Sequence, residues 1–156
     1  MNPPGFDSPD DATLAAFARD EERYFELAKD RELLGAVVEV TVGGTSRYFP
    51  TTSIEVPANF RVSLSIRGGG DTVALFHTHP AAPGQEFFSP SDGSQARRGP
   101  FYVRTPSGDA RVLTGAMVNR ELAGVRSAAA RAAASYRGRS ICAEGAGCLA
   151  PHPGER

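Results

Sequence analysis

The sequence predicts a single α/β domain, and three observations carry that expectation. Apolar residues recur at helical spacing near the N-terminus, a β-branched run closes on a Gly-Gly turn, and a short apolar run leads straight into a pair of histidines. A chain of 156 residues suits one core, and its 40% hydrophobic residues are enough to fill it. The domain is expected over residues 8–137, followed by a flexible tail over 138–156.

Each element follows from local chemistry. Ser8-Pro9-Asp10-Asp11 combines an N-cap serine, a proline at the first helical position and an acid three residues after the serine. Leu14, Phe17, Tyr24, Phe25 and Ala28 continue at helical spacing, predicting one helix over about residues 9–31. Ala36 to Val42 reads as a strand turning at Gly43-Gly44 into a return arm, Ser46 to Phe49. Ile54 to Val56 and Phe60 to Ile66 read as short extended pieces, and Gly68-Gly69-Gly70-Asp71 as a loop. Thr72 to Phe76 has the length and composition of a buried central strand. Phe101 to Arg104 and Ala110 to Leu113 form a hairpin across Thr105-Pro106-Ser107-Gly108-Asp109, and the Ala-rich stretch Met117 to Tyr136 is expected as a second helix.

Charge and composition narrow the function classes. A formal net charge of −1 gives no general attraction to nucleic acid or to an anionic membrane, so neither is expected as a partner. No run reaches the ~18 apolar residues of a membrane span. Met1 to Pro9 has neither the basic nor the apolar region of a secretory signal. A cytoplasmic location is the expectation, with delivery as an effector left open. Cys142 and Cys148 are read as free thiols or a labile disulfide, because a structural zinc module needs more ligands than they and His152 supply.

The chemistry concentrates in Phe76-His77-Thr78-His79-Pro80 followed by Ser89-Pro90-Ser91-Asp92. Two residues apart on a strand, His77 and His79 project from the same face, whereas Thr78 faces the other way. Pro80 ends strand pairing. Ser89-Pro90 starts a helix whose first turn carries Asp92, and Ser89-x-x-Asp92 is also a capping box. The aspartate is expected to serve only one of these roles fully. Two imidazoles and a carboxylate leave one tetrahedral position for water, the pattern of a catalytic zinc site. Beside them, Phe87-Phe88 is read either as a groove lining or as packing for the last helix, and Arg97-Arg98 as a solvated turn that can also reach an acidic substrate tail.

His77-Thr78-His79-Pro80 with Ser89-x-x-Asp92 resembles the motif of the JAMM/MPN metalloprotease family. The family motif includes an upstream glutamate, and Glu32-x-x-Gly35 stands at that position, with Leu34 where the usual Glu-x-Gly-Gly has glycine. Glu39 and Glu55 are the alternatives for that glutamate. The resemblance implies a JAMM/MPN-like (cytidine-deaminase-like) mixed β-sheet flanked by an N-terminal and a C-terminal helix. It further implies that His77, His79 and Asp92 bind Zn²⁺, that Glu32 is the general base, and that Ser89 supports the oxyanion. The implied reaction is hydrolysis of an amide or isopeptide bond in a protein or peptide, including a ubiquitin-like protein in a bacterial system. A secreted or toxin-associated effector domain and a catalytically inactive interaction module are the alternative readings. A zinc deaminase is disfavoured by the absence of its His-x-Glu and Pro-Cys-x-x-Cys signature.

Overall fold

The structure is a computed structural model that describes residues 4–58, 70–142 and 147–155. It is a mixed α/β fold around a seven-stranded sheet of order β2-β1-β4-β5-β6-β7, with β3 also on β1. The strands are β1 (Arg31–Val42), β2 (Thr45–Pro50), β3 (Ile54–Pro57), β4 (Asp71–Thr78), β5 (Phe101–Arg104), β6 (Ala110–Leu113) and β7 (Arg139–Ser140). Among the described strands only β4 and β5 run parallel, joined through α3 (Pro90–Ala96). The expected extended piece at Phe60 to Ile66 and the first two glycines of the following loop lie outside the described residues.

Helix α1 (Pro9–Arg19) starts as its sequence dictates: Ser8 Oγ accepts a 3.1 Å hydrogen bond from the Asp11 N–H, and Asp10 and Asp11 lie at the positive end of the helix dipole. The single helix expected over 9–31 is corrected to two, because α1 gives way at Asp20 to α2 (Glu21–Glu26). The Asp20 carboxylate is drawn out of the helix by Arg19 at 2.9 Å and by a short contact with Ser53. Beyond α2, Arg31 to Leu34 pair with β3 and so extend β1 well upstream of Ala36. Tertiary pairing has overridden local helical spacing.

Alternation along the strands divides the core into two layers. Val37, Ala74, Phe76, Tyr102 and Val112 pack beneath Ala12, Ala16 and Phe17 of α1. On the opposite face, Leu34, Leu75, Phe101, Val103 and Leu113 pack with Ala96 of α3 and with Val118 and Leu122 of α4 (Gly115–Leu122). The β1–β2 hairpin turns on Gly43 and Gly44, whose φ values of 58° and 83° favour glycine. Gly35 serves a different need. It faces Phe76 across the sheet, and a Cβ there would lie 2.2 Å from the Phe76 ring, which itself sits edge-on to Phe17.

Two expectations near the C-terminus are corrected. Met117 to Tyr136 is not one helix: α4 stops before Gly124 (φ 87°), and α5 (Ala128–Ala132) starts anew at the cap Ser127. Alanine favours a helix locally, yet no α5 residue is buried, so packing does not join the two. The segment beyond Gly138 was expected to lack regular structure. Instead β7 pairs with β6, Cys142 and Cys148 form a disulfide, and Leu149 and His152 donate main-chain hydrogen bonds to Gly108 and Pro106. A single 3₁₀ turn, Pro153–Glu155, follows.

Candidate metal centre

The site forms where the C-terminal end of β4 lies beside the N-terminal end of β1. Leu34 and His77 are cross-strand partners, so continuing the antiparallel register by two residues sets Glu32 beside His79 on the same face. Thr78 faces the other side, where its Oγ1 accepts a 3.0 Å hydrogen bond from the Leu33 N–H. His77, His79 and Asp92 are 2%, 4% and 8% exposed. Their ligand atoms all lie within 4.8 Å of one another, and the group can hold a metal ion.

The hydrogen bonds behind the two imidazoles fix what they present to each other. His77 Nδ1 lies 2.7 Å from the Tyr102 carbonyl oxygen, and His79 Nδ1 lies 2.9 Å from the Gln85 carbonyl oxygen. A carbonyl only accepts, so each Nδ1 carries a proton, and a ring in its neutral form turns an Nε2 lone pair inward. The two Nε2 atoms are 3.1 Å apart, and Asp92 contributes oxygens 3.1 Å from His79 Nε2 and 3.5 Å from His77 Nε2. In that form three electron-rich atoms point at one spot, a repulsion that a metal cation or a shared proton relieves.

Asp92 does both jobs thought to compete. Its N–H donates to Ser89 Oγ at 3.1 Å, its Oδ2 accepts from the Ser89 N–H at 2.9 Å, and that same carboxylate faces the histidines. The Ser89 hydroxyl, expected to aim at an oxyanion, is engaged in this cap and lies 3.0 Å from Ser91 Oγ, at the edge of the cavity. Burial works to raise the Asp92 pKa, but the charge that His77 and His79 carry when protonated at Nε2, and the hydrogen bonds they then donate, outweigh it and hold it well below the usual carboxylate range. Burial raises the Glu32 pKa above the ordinary glutamate value, with both imidazoles, when protonated, pulling the other way.

Glu32 lines the cavity of about 560 Å³ that contains His77, His79, Ser89 and Asp92. The two alternative glutamates do not. Glu39 pairs with Asp71 at the far end of β4 and accepts a hydrogen bond from Ser46. Glu55 is the cross-strand partner of Leu33, which puts it on the other face, exposed and near Arg31. Of the loop aromatics, Phe88 is buried against α4 and bridges to Tyr136, whereas Phe87 is exposed beside Arg137. Arg97 bonds to Asn119, and Arg98 lines the cavity.

Several contributors have no motif in the sequence. The Tyr102 and Gln85 carbonyls act through the main chain, which any residue supplies. Phe101 stacks on His77 at 4.0 Å, and the Tyr24 hydroxyl donates to the His79 carbonyl oxygen at 2.8 Å. Tyr24 carried only a helical-spacing signal. The chain matches no family model, no curated protein and no solved structure.

Proposed function

We propose that this chain is a zinc-dependent peptidase or isopeptidase of JAMM type that hydrolyses an amide bond in a protein or peptide. The carrying observation is the paired tautomer: both Nδ1 atoms are tied to carbonyls, so both Nε2 lone pairs converge with Asp92. The donor set fits zinc, since tetrahedral bonds of about 2.0–2.1 Å separate ligand nitrogens by about 3.3 Å, near the 3.1 Å between the two Nε2 atoms. Zinc held by His77, His79 and Asp92 would supply Lewis acidity toward water and a substrate carbonyl.

The chain's own residues divide the remaining work. Glu32 accepts the proton of the attacking water at its carboxylate and returns it to the departing amine. Its buried setting moves its pKa toward the range useful for such exchange. Ser89 donates its hydroxyl hydrogen to the developing oxyanion when substrate displaces the contact with Ser91. The burial of His77, His79 and Asp92 restricts water around them.

A second reading, an inactive JAMM-like interaction module, is favoured by Leu34 at the usual glycine position and by the cap that engages Ser89. The disulfide Cys142–Cys148 favours a delivered effector over a cytoplasmic enzyme, since oxidising compartments preserve such bonds. Zinc-loaded protein incubated with an isopeptide-linked ubiquitin-like conjugate and with a peptide library separates the readings. Chelator-sensitive cleavage supports the hydrolase, and intact substrates with full zinc occupancy would support the module.

A further inference from the structure

We propose that Arg98 makes this site select substrates with a carboxylate about 10 Å from the scissile carbonyl, separated from it by an apolar stretch. The proposal rests on the metallohydrolase reading and assigns its substrate class. Helix α3 starts at the metal cluster and forms one wall of the cavity. Ser91 and Gln95 lie one turn apart on α3, and Arg98 sits in the tight turn just beyond it, its N–H donating to the Gln95 carbonyl; all three line that cavity. From Asp92, four residues of helix at 1.5 Å and two of tighter turn at about 2 Å place Arg98 about 10 Å further along the axis. The sheet side of the cavity is apolar, formed by Leu34, Leu75 and Phe101, and the α3 side carries Ser91, Ser94 and Gln95.

The charge pattern completes the argument. At the metal end the cavity offers Glu32 and Asp92, and at the far end a guanidinium. Among the described residues no carboxylate pairs with Arg98, whereas its neighbour Arg97 bonds to Asn119. An exposed arginine lining this cavity gains most from a planar carboxylate, which it can bind in bidentate fashion. A peptide offers this as an acidic side chain or a free C-terminus two or three residues from the cleaved bond, since extended chain advances about 3.3 Å per residue.

The test uses zinc-loaded full-length protein and two direction-neutral probes, suberic acid monohydroxamate and its primary amide. Each puts a metal-binding hydroxamate at one end of a flexible apolar chain about 10 Å long. Calorimetry should show the acid binding wild type about fivefold more tightly than the amide, the size expected of a partly solvated ion pair. Arg98→Gln should abolish that difference and leave amide affinity and zinc content unchanged. Equal affinities in wild type, or a preference that persists in Arg98→Gln, overturns the proposal with the hydrolase reading intact. No binding of either probe also overturns it, and zinc analysis then tells whether the metal site has fallen with it.

Discussion

The Tyr24 hydroxyl donates a 2.8 Å hydrogen bond to the main-chain oxygen of His79, one residue past the end of β4. The His79 N–H is held by the Arg104 carbonyl, and the next residue, Pro80, has no N–H to offer. Two partners thus fix the backbone of His79, a member of the candidate metal cluster. Tyr24 is fixed in turn by the buried Arg104 guanidinium, 4.8 Å from its ring centre, and by the His152 ring.

Tyr24→Phe keeps the ring and removes only that donor. Chelator competition should show zinc affinity reduced about three- to tenfold, less than the loss of a direct partner of a ligand imidazole. A cobalt-substituted sample should also show an altered visible spectrum. Lower thermal stability with unchanged competition and spectrum would reduce Tyr24 to packing.

Zinc should be present at about one ion per chain and should leave with His77→Ala, His79→Ala or Asp92→Asn. Cys142→Ser and Cys148→Ser should retain it. Because strands and capping box are formed by the protein itself, chelation should lower the melting temperature and leave the far-ultraviolet dichroism largely intact. Collapse of the dichroism would instead mark a folding-coupled structural zinc.

Glu32→Gln keeps shape and should keep the metal, since the glutamate is not among the ligands. With no proton acceptor, turnover should fall by about 10²–10⁴ with substrate binding largely preserved. A variant within twofold of wild type would exclude Glu32 as the base. Neither Glu39 nor Glu55 could then replace it, as both lie away from the cavity.

Asp20 makes a prediction about pH. Burial acts to raise its pKa, but Arg19, Ser53 and Arg23 overcome this and leave it below the ordinary aspartate value. A depressed folded pKa gives stability that is present above the unfolded pKa and lost as pH falls through the folded one. Asp20→Asn should therefore cost about 1–2 kcal/mol at pH 7, and the gap from wild type should shrink between pH 4 and pH 2. Urea titrations at those values check the sign, and a constant gap would remove the ionised form from the account.

The elements legible in the sequence are those set by local chemistry or strict alternation. Ser8-Pro9, Gly43-Gly44, Thr72 to Phe76 and the Phe101–Leu113 hairpin all lie where their residues place them. The start of β1 was hidden because Arg31 to Leu34 become strand only by pairing with β3 and β4, a non-local event. The pairing of β7 and the contacts of Leu149 and His152 were hidden because main-chain hydrogen bonds and a disulfide make them, and neither needs hydrophobic periodicity. At the site, the clustering of His77, His79 and Asp92 was legible, but the carbonyls behind the two imidazoles leave no trace in residue identity.

Gly35 carries a consequence for chemistry on the opposite face of the sheet. Since side chains alternate, sliding β1 by a single residue against β4 would swing Leu33 into the cavity and carry Glu32 to the side of α1. The Phe76 ring lies over the one position in this stretch with no side chain, and any slip would force the ring onto a neighbour's Cβ. An alanine at 35 meets the same obstacle without a slip and can be relieved only by shifting ring or strand. The alignment of Glu32 with the His77–His79–Asp92 cluster is thus keyed by a hydrogen atom on the far side of the sheet, and a methyl group added there would act as a remote lesion of that cluster.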